Sequence, residues 1–402
     1  MKRSKEEEII YNSIKWFMFP DKRDSLVFGD YSAEDYKKCV DISKNHAVIP
    51  FLFDAFNDSP LKDNVPAECL KEINDITRKT VIHSYRLFFL TKYICGILNE
   101  KGIKTAVLKG VAAAREYPEM LYRKSGDVDL FLIDKSRLPD AVKVLKENGL
   151  TYNEADQTEN HQVVFVNRDG IKIELHTMIT EPFADKKANE RLSVFENDIH
   201  KYVENVSIMG NDIPCMQRGA FAFSLLLHAL QHFMRAGFGI KLLCDMAVLF
   251  ENGLDDDEKE TYLSLISKNK LTGFSEVILS VCVYYLGLDK DKVPHDLCDI
   301  ERCDEFLNDV LLAEEFGRSD VNRMAVMSTT GIGGYFKEFH HQMKLSFPKA
   351  SKVFIIIPVL WIITLFRFLR NNRKLRKTTA RAIFKTSGER SRIAKDLDIF
   401  RR

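Results

Sequence analysis

The sequence has no surplus of either charge. Its 59 Lys and Arg against 58 Asp and Glu leave +1 over 402 residues, so the chain as a whole makes no electrostatic case for a nucleic-acid partner. Eight Cys stand at 39, 69, 95, 215, 244, 282, 298 and 303 without a CxxC pair. Cys298 and Cys303 have no second Cys/His pair near them, which argues against a structural zinc site. The opening Met-Lys-Arg-Ser-Lys-Glu-Glu-Glu lacks an apolar core, so a secretory signal is not expected. Scattered thiols without an export signal suit a reducing compartment, and the expectation is a cytoplasmic protein. No internal repeat and no low-complexity linker occurs.

What is present is material for a large core. Hydrophobic residues make up 45 %, with 28 Phe and 13 Tyr, and the length suits roughly two or three domains. Residues 1–100 read as helical: Glu6 to Phe17, Ala33 to Ile42 and the long stretch Ala67 to Leu98 all show helical apolar spacing. The texture changes at Ile103. Ile103 to Leu108 is short and partly β-branched, and Val128 to Ile133 alternates as a strand does. Ser136 to Asn148 reads as an amphipathic helix with Ser136 as N-cap and Gly149 past its end. Gln162 to Asn167 and Ile171 to His176 flank Arg168-Asp169-Gly170, a hairpin signal. Ala220 to Arg235, Ile240 to Phe250, Glu258 to Ser267, Gly273 to Leu286 and Asp304 to Phe316 return to helix. The expected division is 1–100 helical, 101–215 an α/β core, 216–345 helical, and 346–402 an apolar helix with a basic tail.

The chemistry concentrates in Leu108-Lys109-Gly110, Arg123, Gly126-Asp127-Val128-Asp129-Leu130 and Ile173-Glu174-Leu175. Residues i and i+2 of a strand share a face, so Asp127 and Asp129 present two carboxylates side by side. Such a pair is costly without a positive charge between them, and Mg²⁺ commonly combines one or two carboxylates with substrate phosphates. A neighbouring strand would bring Glu174 to the same place as a third carboxylate. His176, two residues on, shares its face and is a candidate to line the site; a solvent-facing strand histidine is the alternative. Gly110 permits close backbone approach, the following helix N-terminus favours phosphate, and Lys109 and Arg123 are candidate counter-charges.

In their order and spacing, these residues resemble the nucleotidyltransferase superfamily, whose pattern is hG[GS], then [DE]h[DE]h, then h[DE]h. The closer resemblance is to a bacterial group of uncharacterised nucleotidyltransferases. It extends to Tyr117-Pro118, to Arg123 before Gly126-Asp127-Val128-Asp129, to Glu174-Leu175-His176, and to a later helical stretch with His232 and Leu242-Leu243-Cys244-Asp245. The resemblance implies an α+β fold, a small mixed β-sheet core flanked by N- and C-terminal helical regions. It implies Asp127, Asp129 and Glu174 as catalytic and metal-binding residues, with Mg²⁺ or Mn²⁺, and Lys109, Gly110, Arg123, Gly126 and His176 around a nucleoside triphosphate. The implied reaction moves a nucleoside monophosphate to a hydroxyl acceptor (a small molecule, a sugar or a protein) with pyrophosphate leaving. Val111 departs from the Gly or Ser usual after the first Gly. That departure keeps open an alternative: a catalytically inactive nucleotide-binding or scaffold protein, linked to cell-surface polysaccharide assembly.

Three further features carry information. His228 and His232 share a helix face, but Ala229-Leu230-Gln231 between them lacks the Glu of a zinc-protease motif, and a packing role is favoured. Asp245, inside an apolar helix, needs a partner if buried, with His232 or Arg235 expected. Val353 to Phe366 is a fourteen-residue apolar run, too short for the about twenty of a membrane span, followed by Arg367, Arg370, Arg373, Lys374, Arg376, Lys377 and Arg381. Three readings stay open for residues 353–381: a core helix with a solvated basic tail, which is favoured, then peripheral contact with the inner membrane, and last contact with nucleic acid.

Overall fold

A computed structural model describes residues 3–152, 161–235, 237–314, 350–375 and 392–400, together with 339–341, 343, 344, 346, 347 and 390. Four helices come first: α1 (Lys5–Met18), α2 (Ala33–Asn45), the short α3 (Phe53–Asp58) and α4 (Ala67–Asn99). Their starts follow local chemistry. The Ser4 side chain accepts from the Glu7 backbone, and Ser32 and Asp35 form a reciprocal capping box on α2.

The middle of the chain builds a seven-stranded mixed sheet of order β3-β4-β5-β2-β1-β7-β6. The strands are β1 (Thr105–Val107), β2 (Asp127–Leu132), β3 (Thr151–Tyr152), β4 (Gln162–Val166), β5 (Lys172–His176), β6 (Val203–Ile208) and β7 (Asn211–Met216). Helices α5 (Val111–Ala114), α6 (Leu138–Glu147) and α7 (Lys186–Asp198) interrupt them. The expected hairpin forms β4 and β5. Gly170 has φ +80°, and the Asn167 side chain accepts from the Asp169 and Ile171 backbones at 3.0 and 2.8 Å.

Three local expectations need correction. Ser136 does not cap α6: Asp134 accepts from the Ser136 backbone at 2.9 Å and caps a short 3₁₀ turn, after which α6 starts at Leu138 with Pro139 in its first turn. The β6–β7 hairpin was not anticipated. Its turn, Met209-Gly210, has positive φ at both positions, the geometry that Asn-Gly usually signals, and Met conceals it. The last expected helix, Asp304 to Phe316, runs instead from Ile300 to Ala313 with Asp299 as its cap, and Phe316 lies outside the described residues.

The C-terminal half supplies α8 (Arg218–Arg235), α9 (Ile240–Glu251), α10 (Asp256–Lys268), α11 (Thr272–Leu286) and α12 (Ile300–Ala313). Gly219 lets α8 and α10 cross closely, since a Cβ there would lie 2.1 Å from the Glu258 carbonyl oxygen. One hydrophobic core runs from α1 through the sheet to these helices. All eight cysteines are buried and free. A further helix, α13 (Ile357–Leu375), precedes a segment that returns to the core through Ile393, Leu397, Ile399 and Phe400. Among the described residues, no helix is long and apolar enough to cross a membrane.

Candidate active site

Strands β2 and β5 run parallel with Asp129 directly opposite Glu174 and Asp127 opposite Lys172. Paired residues project to the same face of a sheet. The register therefore places Asp127, Asp129, Glu174 and His176 on one face, with Val128, Leu130, Ile173 and Leu175 turned into the core behind them. The apolar positions between the carboxylates are what hold the register: a slip by one residue would bury the carboxylates and expose the apolar side chains.

This face is the floor of a cavity of about 380 Å³, within the range of small-molecule sites. Lys109, Gly110, Arg123, Gly126, Asp127, Asp129, Glu174 and His176 all line it, so the structure brings together every site residue picked out in the sequence. The opposite wall comes from α8 and α9 and was largely missed by sequence reasoning. It adds His228, Gln231, His232, Arg235 and Lys241. Lys241 had a signal: it is a buried lysine in an otherwise apolar helix start, Ile240-Lys241-Leu242-Leu243, a rare arrangement unless the charge has work to do.

The electrostatics of the floor are those of crowded negative charge. Asp129 is 3 % exposed. Its Oδ1 accepts from the Lys109 ammonium at 2.9 Å and lies 3.0 Å from His176 Nε2. Burial works against its charged form, but Lys109 and His176 outweigh it and hold Asp129 below the usual carboxylate range. Asp127 takes the opposite shift. Repulsion from Asp129 first, and burial second, push its carboxyl up to about 7. His176 Nε2 also lies 3.4 Å from Glu174 Oε2. Burial disfavours the imidazolium of His176, yet the bonds to Asp129 and Glu174 raise its pKa. The solvent-facing alternative for His176 does not hold, since it is 3 % exposed.

The wall histidines are neutral. His228 and His232 meet edge to face at 4.5 Å between ring centres. Burial, then Lys109, drives His228 well below its ordinary value and His232 down to about 3. His161, 5.9 Å from the His176 ring, is pushed down to about 3 by burial and by His176. The wall is thus polar, with Lys241 and Arg235 as its cations, Arg235 paired with Glu181, and with imidazoles as neutral hydrogen-bonding groups.

Three expectations change. Arg123 does not stand ready as a counter-charge for phosphate. Its Nε and Nη2 donate to the two oxygens of Asp245 at 2.7 and 2.6 Å, and Nη1 donates to Ser125 Oγ at 2.8 Å. Asp245 also accepts from the Tyr117 hydroxyl at 2.7 Å. Its partners are therefore Arg123 and Tyr117, not His232 or Arg235, because the loop before β2 packs onto α9. The helix after Gly110 is a single turn, Val111–Ala114, too short to build a macrodipole of consequence. Gly110 itself has φ +56°, a conformation that favours glycine.

Asp129, Glu174 and His176 each offer a ligand atom within 4.8 Å of one another. Asp127, at the next same-face position of β2, lines the same cavity, and repulsion from Asp129 is the first cause of its shift, so its carboxylate borders this group. A divalent cation fits this donor set. The mutual repulsion that lifts Asp127 is the excess negative charge such an ion would neutralise.

Comparison with known proteins decides the family. A model of the uncharacterised nucleotidyltransferase family matches residues 32–287. The chain belongs to this family. Nucleotidyl transfer is accordingly its general role, and the matched span contains every residue of the cavity discussed above. No curated protein matches the sequence. Among solved structures, an antigenic nucleotidyltransferase-like protein from Paracoccidioides brasiliensis is similar at 13 % identity and a TM-score of 0.31, over 45 % of this chain and 88 % of that one.

Proposed function

We propose that this nucleotidyltransferase moves a nucleoside monophosphate from a nucleoside triphosphate to a hydroxyl acceptor, with a divalent cation, Mg²⁺ or Mn²⁺, bound by Asp127, Asp129 and Glu174. The observation that carries the reading is the register of β2 and β5, which sets Asp129 against Glu174 beneath a cationic wall. A bound cation supplies charge neutralisation at the phosphates and a lowered pKa for the acceptor hydroxyl.

The chain's own residues do the rest. Lys109 and Lys241 face the cavity that holds the carboxylates and balance the charge of a triphosphate. His176 fixes the orientation of the Asp129 carboxylate through Nε2. Arg123, tied to Asp245, holds Ser125 and so the loop that enters β2. The acceptor oxygen forms a bond to the α-phosphorus, its proton passes to the carboxylate side of the floor, and the bond to pyrophosphate breaks. Val111, the departure from the superfamily pattern, is 6 % exposed and lines a small pocket beside the cavity together with Lys109, Gly110, Asp127 and Asp129.

The test is pyrophosphate release with each of the four NTPs, Mg²⁺ or Mn²⁺ and a metabolite extract, against Asp127→Ala with Asp129→Ala. Release by the wild type alone supports transfer. Metal-dependent NTP binding without release supports the inactive nucleotide-binding or scaffold alternative. Absence of both turnover and metal-dependent NTP binding overturns the site.

A further inference from the structure

The favoured reading of residues 353–366, a buried core helix, does not match the solvent exposure of this segment. Phe354 and Ile355 are 84 % and 85 % exposed, and Val359, Ile362 and Phe366 are 55 %, 68 % and 66 % exposed. The last three recur at spacings of three and four, on one side of α13. The other side is held. Leu360 is buried, and Trp361 Nε1 donates to His340 Nδ1 at 3.1 Å. Next to it, His341 Nε2 lies 2.8 Å from the Pro182 carbonyl oxygen.

This is not a frayed end. The chain comes back to the core at Arg390, which is fully buried, lies over the Phe233 ring and pairs with Asp309 at 3.1 Å. The apolar face is therefore displayed by a helix tethered on one side and followed by packed chain. Exposed apolar faces of this extent mark a contact surface.

Charge identifies what the face meets. Between Glu338 and Glu389 the sequence holds no Asp or Glu but eleven Lys and Arg. A second copy of the same segment would bring like charges together. The apolar part is about fourteen residues, roughly 21 Å as helix at 1.5 Å per residue, against a hydrocarbon core of about 30 Å, and Pro358 interrupts its start. It is too short to span and suited to lie in the headgroup region, apolar side down, with Arg and Lys among the phosphates.

We propose that α13 and the turn before it dock this protein on an anionic bilayer surface. The test is flotation of the full-length chain with vesicles of phosphatidylcholine alone and of phosphatidylcholine with ~30 % phosphatidylglycerol, the anionic lipid supplying the surface potential. Wild type floats with the anionic vesicles only. Ile355→Asp with Ile362→Asp, both exposed and so neutral for folding, loses at least about tenfold in lipid affinity with an unchanged circular dichroism spectrum. Flotation that is equal on both vesicles, absent from both, or unaffected by these two changes overturns the proposal. So does a dimer in the absence of lipid that the same changes convert to monomer, which would assign the face to a second copy.

Discussion

Replacing Asp245 with Ala probes the joint between the site and the helical half. The Asp245 side chain is fully buried, and that of Arg123 is 4 % exposed. In the wild type, the carboxylate takes three hydrogen bonds, from Arg123 Nε, Arg123 Nη2 and the Tyr117 hydroxyl. The substitution leaves a guanidinium buried without its counter-ion. Removing one partner of a buried ion pair costs about 3–5 kcal/mol, and the stranded tyrosine hydroxyl belongs within that figure rather than on top of it, since the three groups act as one network. Replacing both charges, as Arg123→Met with Asp245→Leu, removes the stranded charge. The double variant should then be more stable than Asp245→Ala alone, because well-packed apolar replacements of buried pairs are often neutral. Urea denaturation followed by circular dichroism measures both quantities. A loss of less than about 1 kcal/mol for Asp245→Ala, in the range of an exposed ion pair, would refute the claim that this pair anchors the loop before β2 to α9.

Two other outcomes are expected. In the metal-free protein, Asp127 keeps its proton up to about pH 7 in the folded state, whereas an unfolded Asp loses it near pH 4. The native state thus binds more protons over that window, and stability falls as pH rises from about 4 to about 7, then levels off. Melting in EDTA should show that fall and Asp127→Asn should flatten it; parallel curves for the two proteins would refute the assignment. Gly219→Ala places a methyl 2.1 Å from the Glu258 carbonyl oxygen, forcing α8 from α10 at a cost of about 1–3 kcal/mol, and a melting temperature equal to wild type would count against that close crossing.

The sequence by itself determined the carboxylates. Asp127 and Asp129 at alternate strand positions, and Glu174 between two apolar residues after a turn, follow from period-two patterning and the Asp169-Gly170 turn, which are local properties. The long helices were equally legible, because apolar spacing and capping residues act within a few positions. Tertiary structure decided what depends on packing between distant segments. The β6–β7 hairpin adds its strands to the sheet through β1, with Val107 opposite Cys215, a contact over more than a hundred residues that no local pattern records. Arg123 was taken from phosphate by Asp245, 122 positions away. His176 was drawn between two carboxylates, and Lys241 into the wall above them. The apolar run at 353–366 is the sharpest case. Its composition suits a core and an interaction surface equally, and only the fold, by leaving that side of α13 without a neighbour among the described residues, set it at the surface. Hydrophobicity states what a residue avoids; the chain's path in space determines what it meets.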